Sequence, residues 1–163
     1  MQETRFLALL RTLHDSGAKF ILVGGTAAIL NGAPIHTYDI DIVYARDSEN
    51  VNRLLKAIES LDAVFRMQPE RRLRPTVTHL SASGHLNLIT RSGPLDLLTF
   101  IGANLAYEDL IPHSAEMDIG EGMRLRVLDL ETIIAVKEQL AGDKDVAVLP
   151  VLRETLKQTR DKG

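Results

Sequence analysis

Helical and strand periodicities alternate along this chain, and the alternation predicts an α/β (α+β) fold. The expected architecture is a mixed, largely antiparallel central sheet with helices packed against it, in one domain over residues 1–163. Apolar residues keep helical spacing at Phe6, Leu9, Leu10 and Leu13, at Val51, Leu54, Leu55, Ile58 and Leu61, and at Leu130, Ile133 and Ile134. Short apolar runs of strand length lie between these stripes, beginning with Phe20–Val23. Glycine-bearing breaks separate the runs, at Gly24-Gly25, Arg91-Ser92-Gly93 and Gly120-Glu121-Gly122.

Taken in order, the first helix stops at Asp15-Ser16-Gly17, where Gly17 suits a left-handed cap. The strand Phe20–Val23 breaks at Gly24-Gly25 and runs into a small-residue helix beginning near Thr26. A loop holding Gly32, Pro34 and Thr37 leads to a second strand that carries Asp39 and Asp41. Asp47 or Ser48 caps the next helix. Ala63–Met67 reads as a short strand, and Pro75 imposes an extended break at Arg74. His85–Thr90 and Leu95–Phe100 read as an antiparallel hairpin that sets Asp96 beside the Asp39 strand. Ala106–Ile111 reads as a short helix, and Ala115–Ile119 with Met123–Val127 as a further hairpin. Asp129 caps a helix that Gly142 ends, and Asp145–Thr159 is helical with a kink or restart at Pro150.

A chain of 163 residues, 45% hydrophobic and 25% charged, has the usage of one globular domain with a real core. Its net charge of −3 gives no general attraction to nucleic acid or to an anionic membrane. The absence of cysteine excludes disulfides, thiolate catalysis and Cys-based zinc sites. Glu3, Arg5 and Arg11 interrupt the N-terminal apolar residues, so no signal peptide is expected there, and no stretch suits a bilayer span. A cytoplasmic protein is the simplest expectation.

Strand side chains alternate faces, so Asp39 and Asp41 point one way while Ile40 and Ile42 point into a core. Paired acids repel each other and resist burial unless a counter-charge is near, and a divalent metal supplies one. A solvated sheet edge with both acids outward is the bland alternative. Gly24-Gly25 is either a plain tight turn or the backbone of a phosphate cradle opening a helix, with Thr26 adding a hydroxyl. Arg71, Arg72 and Arg74, with Arg66 and Arg91 nearby, form either a solvated loop or a patch for a phosphate backbone. Lys137 lies on the Leu130, Ile133, Ile134 stripe, where it either snorkels to solvent or presents its ammonium in a cleft. The histidines show no ligand spacing with one another.

Gly24-Gly25-Thr26, then Asp39-x-Asp41, then Asp96 within Gly93-Pro94-Leu95-Asp96-Leu97-Leu98, together resemble the signature of the polymerase-beta-like nucleotidyltransferase superfamily. The segment from Val127 to Lys137, with Lys144-Asp145, is similar to the lysine-bearing helix of the subgroup that includes AbiE-type abortive-infection toxins. Gly142 and Val148 stand where such relatives often carry an arginine and an acid, and His36 stands where many carry an arginine. The resemblance implies Mg²⁺-dependent transfer of a nucleotide from an NTP to a hydroxyl, with pyrophosphate leaving. It implies that Asp39 and Asp41 hold two Mg²⁺ ions and that Asp96 binds one of them and activates the acceptor. Gly24, Gly25, Thr26, Thr37 and Lys137 are then the expected nucleotide-binding residues. The acceptor would be an RNA end, a protein side chain or a small molecule, met with a partner protein or in a homodimer. The alternative is a non-catalytic nucleotide- or partner-binding module, one component of a toxin–antitoxin pair.

Overall fold

The computed structural model describes residues 4–162 and sets them around a seven-stranded mixed sheet. α1 (Arg5–Asp15) buries Leu9, Leu10 and Leu13, and Gly17 leaves it at φ +75°. Every residue of β1 (Phe20–Val23) is buried. α2 (Gly24–Leu30) starts directly after it, two residues before Thr26. β2 (Ile40–Tyr44) returns antiparallel to β1, so Asp39 lies one residue ahead of the strand that holds Asp41. α3 (Ser48–Ser60) is capped by the Asp47 carboxylate, which accepts from the Asn50 N–H. The side chain of Asn50 is itself buried and bonds to Lys19 and Ala45, locking the start of β1 to the end of β2.

β3 (Val64–Phe65), α4 (Val77–Ser81), β4 (His85–Thr90) and β5 (Gly93–Leu98) complete one half of the sheet. α4 follows the Pro75 break, where the sequence pattern gives no helix, and Leu80 anchors it in the core. β5 starts two residues earlier than its apolar run suggests, because Gly93 pairs with Thr90 across the turn. α5 (Tyr107–Leu110), β6 (Ser114–Asp118), β7 (Arg124–Leu128), α6 (Leu130–Leu140) and α7 (Asp143–Lys162) follow. Ala141, at φ 49°, rather than Gly142, makes the left-handed turn after α6. α7 continues through Pro150 instead of restarting. Leu149 and Leu152 on either side are both buried, and that packing offsets the ~3 kcal/mol an interior proline costs.

The strand order is β3-β4-β5-β2-β1-β7-β6. Four of the six pairings are antiparallel. The two parallel ones, β2 with β5 and β1 with β7, dock the outer antiparallel pieces onto the central β1–β2 pair. Ile40 and Ile42 of β2 and Leu95 and Leu97 of β5 are wholly buried, which orients the residues that alternate with them. α2 packs on β2 and α6, and α6 packs on α7.

Candidate active site

Register sets Asn87, Asp96, Asp41 and Val23 in one row across β4, β5, β2 and β1. In-register neighbours point to the same face. Burial of Ile40, Ile42, Leu95 and Leu97 on one face therefore delivers Asp41 and Asp96 together to the other. Asp39, just outside β2, joins them. One carboxylate oxygen from each of Asp39, Asp41 and Asp96 lies within 4.8 Å of the others. Among the described residues no other group of acids or histidines converges in this way.

Such a cluster is electrostatically frustrated. Asp41 is pushed up to about 7, first by burial, then by its hydrogen bond with Asp96 and by the charges of Asp96 and Asp39, with Arg66 opposing. The folded protein thus holds a proton that an unfolded chain, with Asp41 near 3.8, releases. The stability associated with that proton is complete below 3.8 and is lost as pH rises through about 7. In chelator, this group is expected to lower the melting temperature as pH rises from about 4 to about 7 and to add no further fall above that, and Asp41→Asn is expected to flatten the fall. A parallel pH dependence in parent and mutant, measured by thermal denaturation, contradicts the frustrated cluster.

The residues around Gly24 and Gly25 hold the acids in place. Gly24 has φ +65°, and a Cβ there would come within 2.3 Å of Asp41 Oδ2. A Cβ on Gly25 would meet the Thr37 side chain at 2.9 Å. The close approach that both glycines permit is thus of α2 to Asp41 and Thr37. The hydroxyls of Thr26 and Thr37 each donate to the Asp39 carbonyl at 3.2 Å. They fix the backbone that aims the Asp39 carboxylate.

A cleft of about 400 Å³ opens between this row and α6. Gly24, Asp41 and Asp96 line it on the sheet side, and Ile133, Val136 and Lys137 on the helix side. Leu130, Ile133 and Ile134 are buried, whereas Lys137 is half-buried with Nζ 3.4 Å from Asp145 Oδ1. The ammonium therefore faces the cleft, where Asp145 also lies. Gly25, Thr26 and Thr37 do not line the cleft.

Arg66 is the site residue that sequence reasoning missed. Its Nη2 lies 2.6 Å from Asp96 Oδ1 and its Nη1 4.0 Å from Asp39 Oδ2. Only the pairing of β3 with β4 brings it there, and sequence spacing groups it instead with Arg71, Arg72 and Arg74. Of that group, Arg72 and Arg74 both pair with Asp62, and all three are exposed, as in a solvated loop. His36 is exposed as well.

No helix among the described residues is long and apolar enough to cross a membrane. Neither a family model nor a curated protein matches the sequence. Among solved structures, the chain is similar to the antibiotic-resistance factor ANT(2'')-Ia, with TM-score 0.60 and 14% identity over 93% of this chain and 82% of that one. It is also similar to a candidate nucleotidyltransferase from Thermotoga maritima, with TM-score 0.56 and 19% identity over 94% of this chain and 93% of that one. At these identities the likeness is one of fold: the chain has a nucleotidyltransferase-type fold, and two of its three converging acids, Asp41 and Asp96, line the cleft between sheet and α6, with Asp39 beside them outside its lining.

Proposed function

We propose that this chain is a Mg²⁺-dependent nucleotidyltransferase that moves a nucleoside monophosphate from an NTP to a hydroxyl acceptor. The observation that carries this reading is the convergence of Asp39, Asp41 and Asp96, the last two lining a cleft whose other wall presents Lys137. The donor set fits the metal: hard carboxylate oxygens within one small volume, one of them reluctant to ionise until a cation is near. Asp39 and Asp41 would hold the ions, with Asp96 as a further ligand. Bound there, the ions supply counter-charge and Lewis-acid stabilisation to the attacking and leaving oxygens of an in-line displacement. The acceptor oxygen bonds to the α-phosphorus, its proton passes to Asp96, and the bond from the α-phosphorus to the β-bridging oxygen breaks to release pyrophosphate. Gly24 and Lys137 contact the nucleotide, Lys137 as a point charge for the triphosphate. Gly25, Thr26 and Thr37 position the acid strand.

Lys137→Met tests the cleft assignment. It keeps the stem's bulk and deletes the charge. Stability is expected to change by less than about 1 kcal/mol, since the Lys137–Asp145 pair is partly solvated. Affinity for Mg²⁺–NTP is expected to fall about tenfold, the scale of one charge-assisted phosphate contact. Unchanged affinity in a calorimetric titration removes Lys137 from the site.

The acceptor in this reading is an RNA end, a protein side chain or a small molecule, reached with a partner protein or in a homodimer. The second reading is a nucleotide- or partner-binding module without catalysis, one half of a toxin–antitoxin pair akin to the AbiE-type systems. Gly142 and Val148, where the resembling chains often carry an arginine and an acid, favour it. Incubation with Mg²⁺ and each labelled NTP, with RNA and protein acceptors present, separates the two. Transfer is expected to release pyrophosphate in step and to stop in chelator. Mg²⁺–NTP binding with no transfer to any acceptor supports the second reading.

A further inference from the structure

Arg66 stands where a cation belongs. It follows β3, and its backbone N–H donates to the Asn87 carbonyl of β4 at 2.9 Å. Its Nη2 donates to the Leu88 carbonyl at 3.1 Å and to Asp96 Oδ1 at 2.6 Å, and Nε reaches the same carbonyl at 3.4 Å. Both N–H bonds of Nη2 are thus committed, one to strand backbone and one to the acid cluster. The planar fork sets Nε and Nη2 together on the Leu88 carbonyl while Nη2 also reaches Asp96, a preorganised double hold that a freely rotating ammonium lacks. Yet the side chain is 35% exposed, so solvent is open to it if it lets go.

We propose that Arg66 is the resident counter-ion of the carboxylate site, and that a divalent cation displaces its guanidinium from Asp96 in order to bind. The inference rests on the reading of Asp39, Asp41 and Asp96 as a metal site. Without a metal, Arg66 offsets part of the repulsion among the acids and orients Asp96 through a short, charge-assisted bond. A divalent cation among the same oxygens would lie within a few ångströms of the guanidinium, and like charges that close repel. The metal therefore binds against the Arg66–Asp96 pair, and the site's affinity is lower than its carboxylates alone would give. Arg66 also reaches towards Asp39, so its departure frees two of the three acids at once.

Titration of the full chain with Mn²⁺, following the free aqua ion by electron paramagnetic resonance, tests this without any turnover. Arg66→Gln is expected to bind Mn²⁺ about five- to tenfold more tightly than the parent, the scale of one partly exposed ion pair. Arg66→Lys, which keeps the charge but loses the double hold, is expected to gain about two- to threefold. Arg71→Gln carries the same change in net charge, and among the described residues the exposed Arg71 side chain bonds to Gln68 (3.1 Å) and not to the acid cluster, so its affinity is expected to stay at the parent's. Circular dichroism confirms that each variant is folded, and Arg66→Lys decides the matter if Arg66→Gln is not. Parent and Arg66 variants binding Mn²⁺ equally, or the variants binding it less well, overturns the role of Arg66 and leaves the metal site standing. Equal tightening in Arg71→Gln overturns it too, since general charge would then explain the gain. Absence of Mn²⁺ binding in parent and variants alike overturns this inference and the metal reading together.

Discussion

Asp41→Asn is expected to lower nucleotide transfer by at least about a thousandfold while raising the metal-free melting temperature. The two effects have one cause. Asp41 sits in the middle of the carboxylate row, paired in register with Asp96 on one side and Val23 on the other. Its rise from 3.8 to about 7 corresponds to roughly 4 kcal/mol of unfavourable ionisation, an upper bound for what neutralisation can recover. An amide of nearly the same shape keeps a donor for Asp96 and removes the buried charge. A gain of about 1–2 kcal/mol, or about 3–6 °C, is the realistic share at pH 8 in chelator. The same change deletes a hard anionic ligand, so metal and transfer are lost together. A mutant as active as the parent rules the mechanism out, and a mutant less stable than the parent rules out the frustrated cluster.

Gly24→Ala is expected to destabilise the fold by about 2–4 kcal/mol, a drop of about 5–12 °C in melting temperature. Part of the loss is backbone strain at φ +65°, and part is the collision of the new Cβ with Asp41 Oδ2 at 2.3 Å. Gly122→Ala isolates the first part, because Gly122 has φ +76° and a Cβ there would meet nothing within 4 Å. It is expected to cost only about 1 kcal/mol. The difference between the two is the cost of crowding Asp41. Gly24→Ala is further expected to weaken Mn²⁺ binding, since relief of the clash moves a ligand. Equal stability losses at the two positions in matched denaturation curves contradict the close packing of α2 on the acid strand.

The parts of this molecule written in local sequence are those that period and capping decide. The stripes of α1, α3 and α6 read directly from spacing, as does the cap at Asp129, while spacing leaves Asp47 and Ser48 as alternatives and the structure uses Asp47. The alternation of Ile40, Asp41 and Ile42, repeated by Leu95, Asp96 and Leu97, made both acids legible as outward residues of buried strands. What escaped depended on contacts distant in sequence. Arg66 reaches the acids only through strand pairing, and Asn50 clamps β1 to β2 through bonds to Lys19 and Ala45. Thr26 and Thr37 suit a phosphate by residue type, yet their hydroxyls meet at the Asp39 carbonyl, a convergence that spacing does not encode. At Pro150 a local rule yielded to tertiary packing, since Leu149 and Leu152 hold α7 continuous.

Equilibrium binding of each NTP, with Mg²⁺ and then with chelator, tests the central claim most directly because it needs no knowledge of the acceptor. The parent chain is expected to bind at least one NTP when Mg²⁺ is present and to lose most of that affinity in chelator. Asp41→Asn is expected to show the chelator value even with Mg²⁺, and Lys137→Met an intermediate one. Failure of every NTP to bind with Mg²⁺, or binding indifferent to both chelator and Asp41→Asn, contradicts a metal–nucleotide site at Asp39, Asp41 and Asp96.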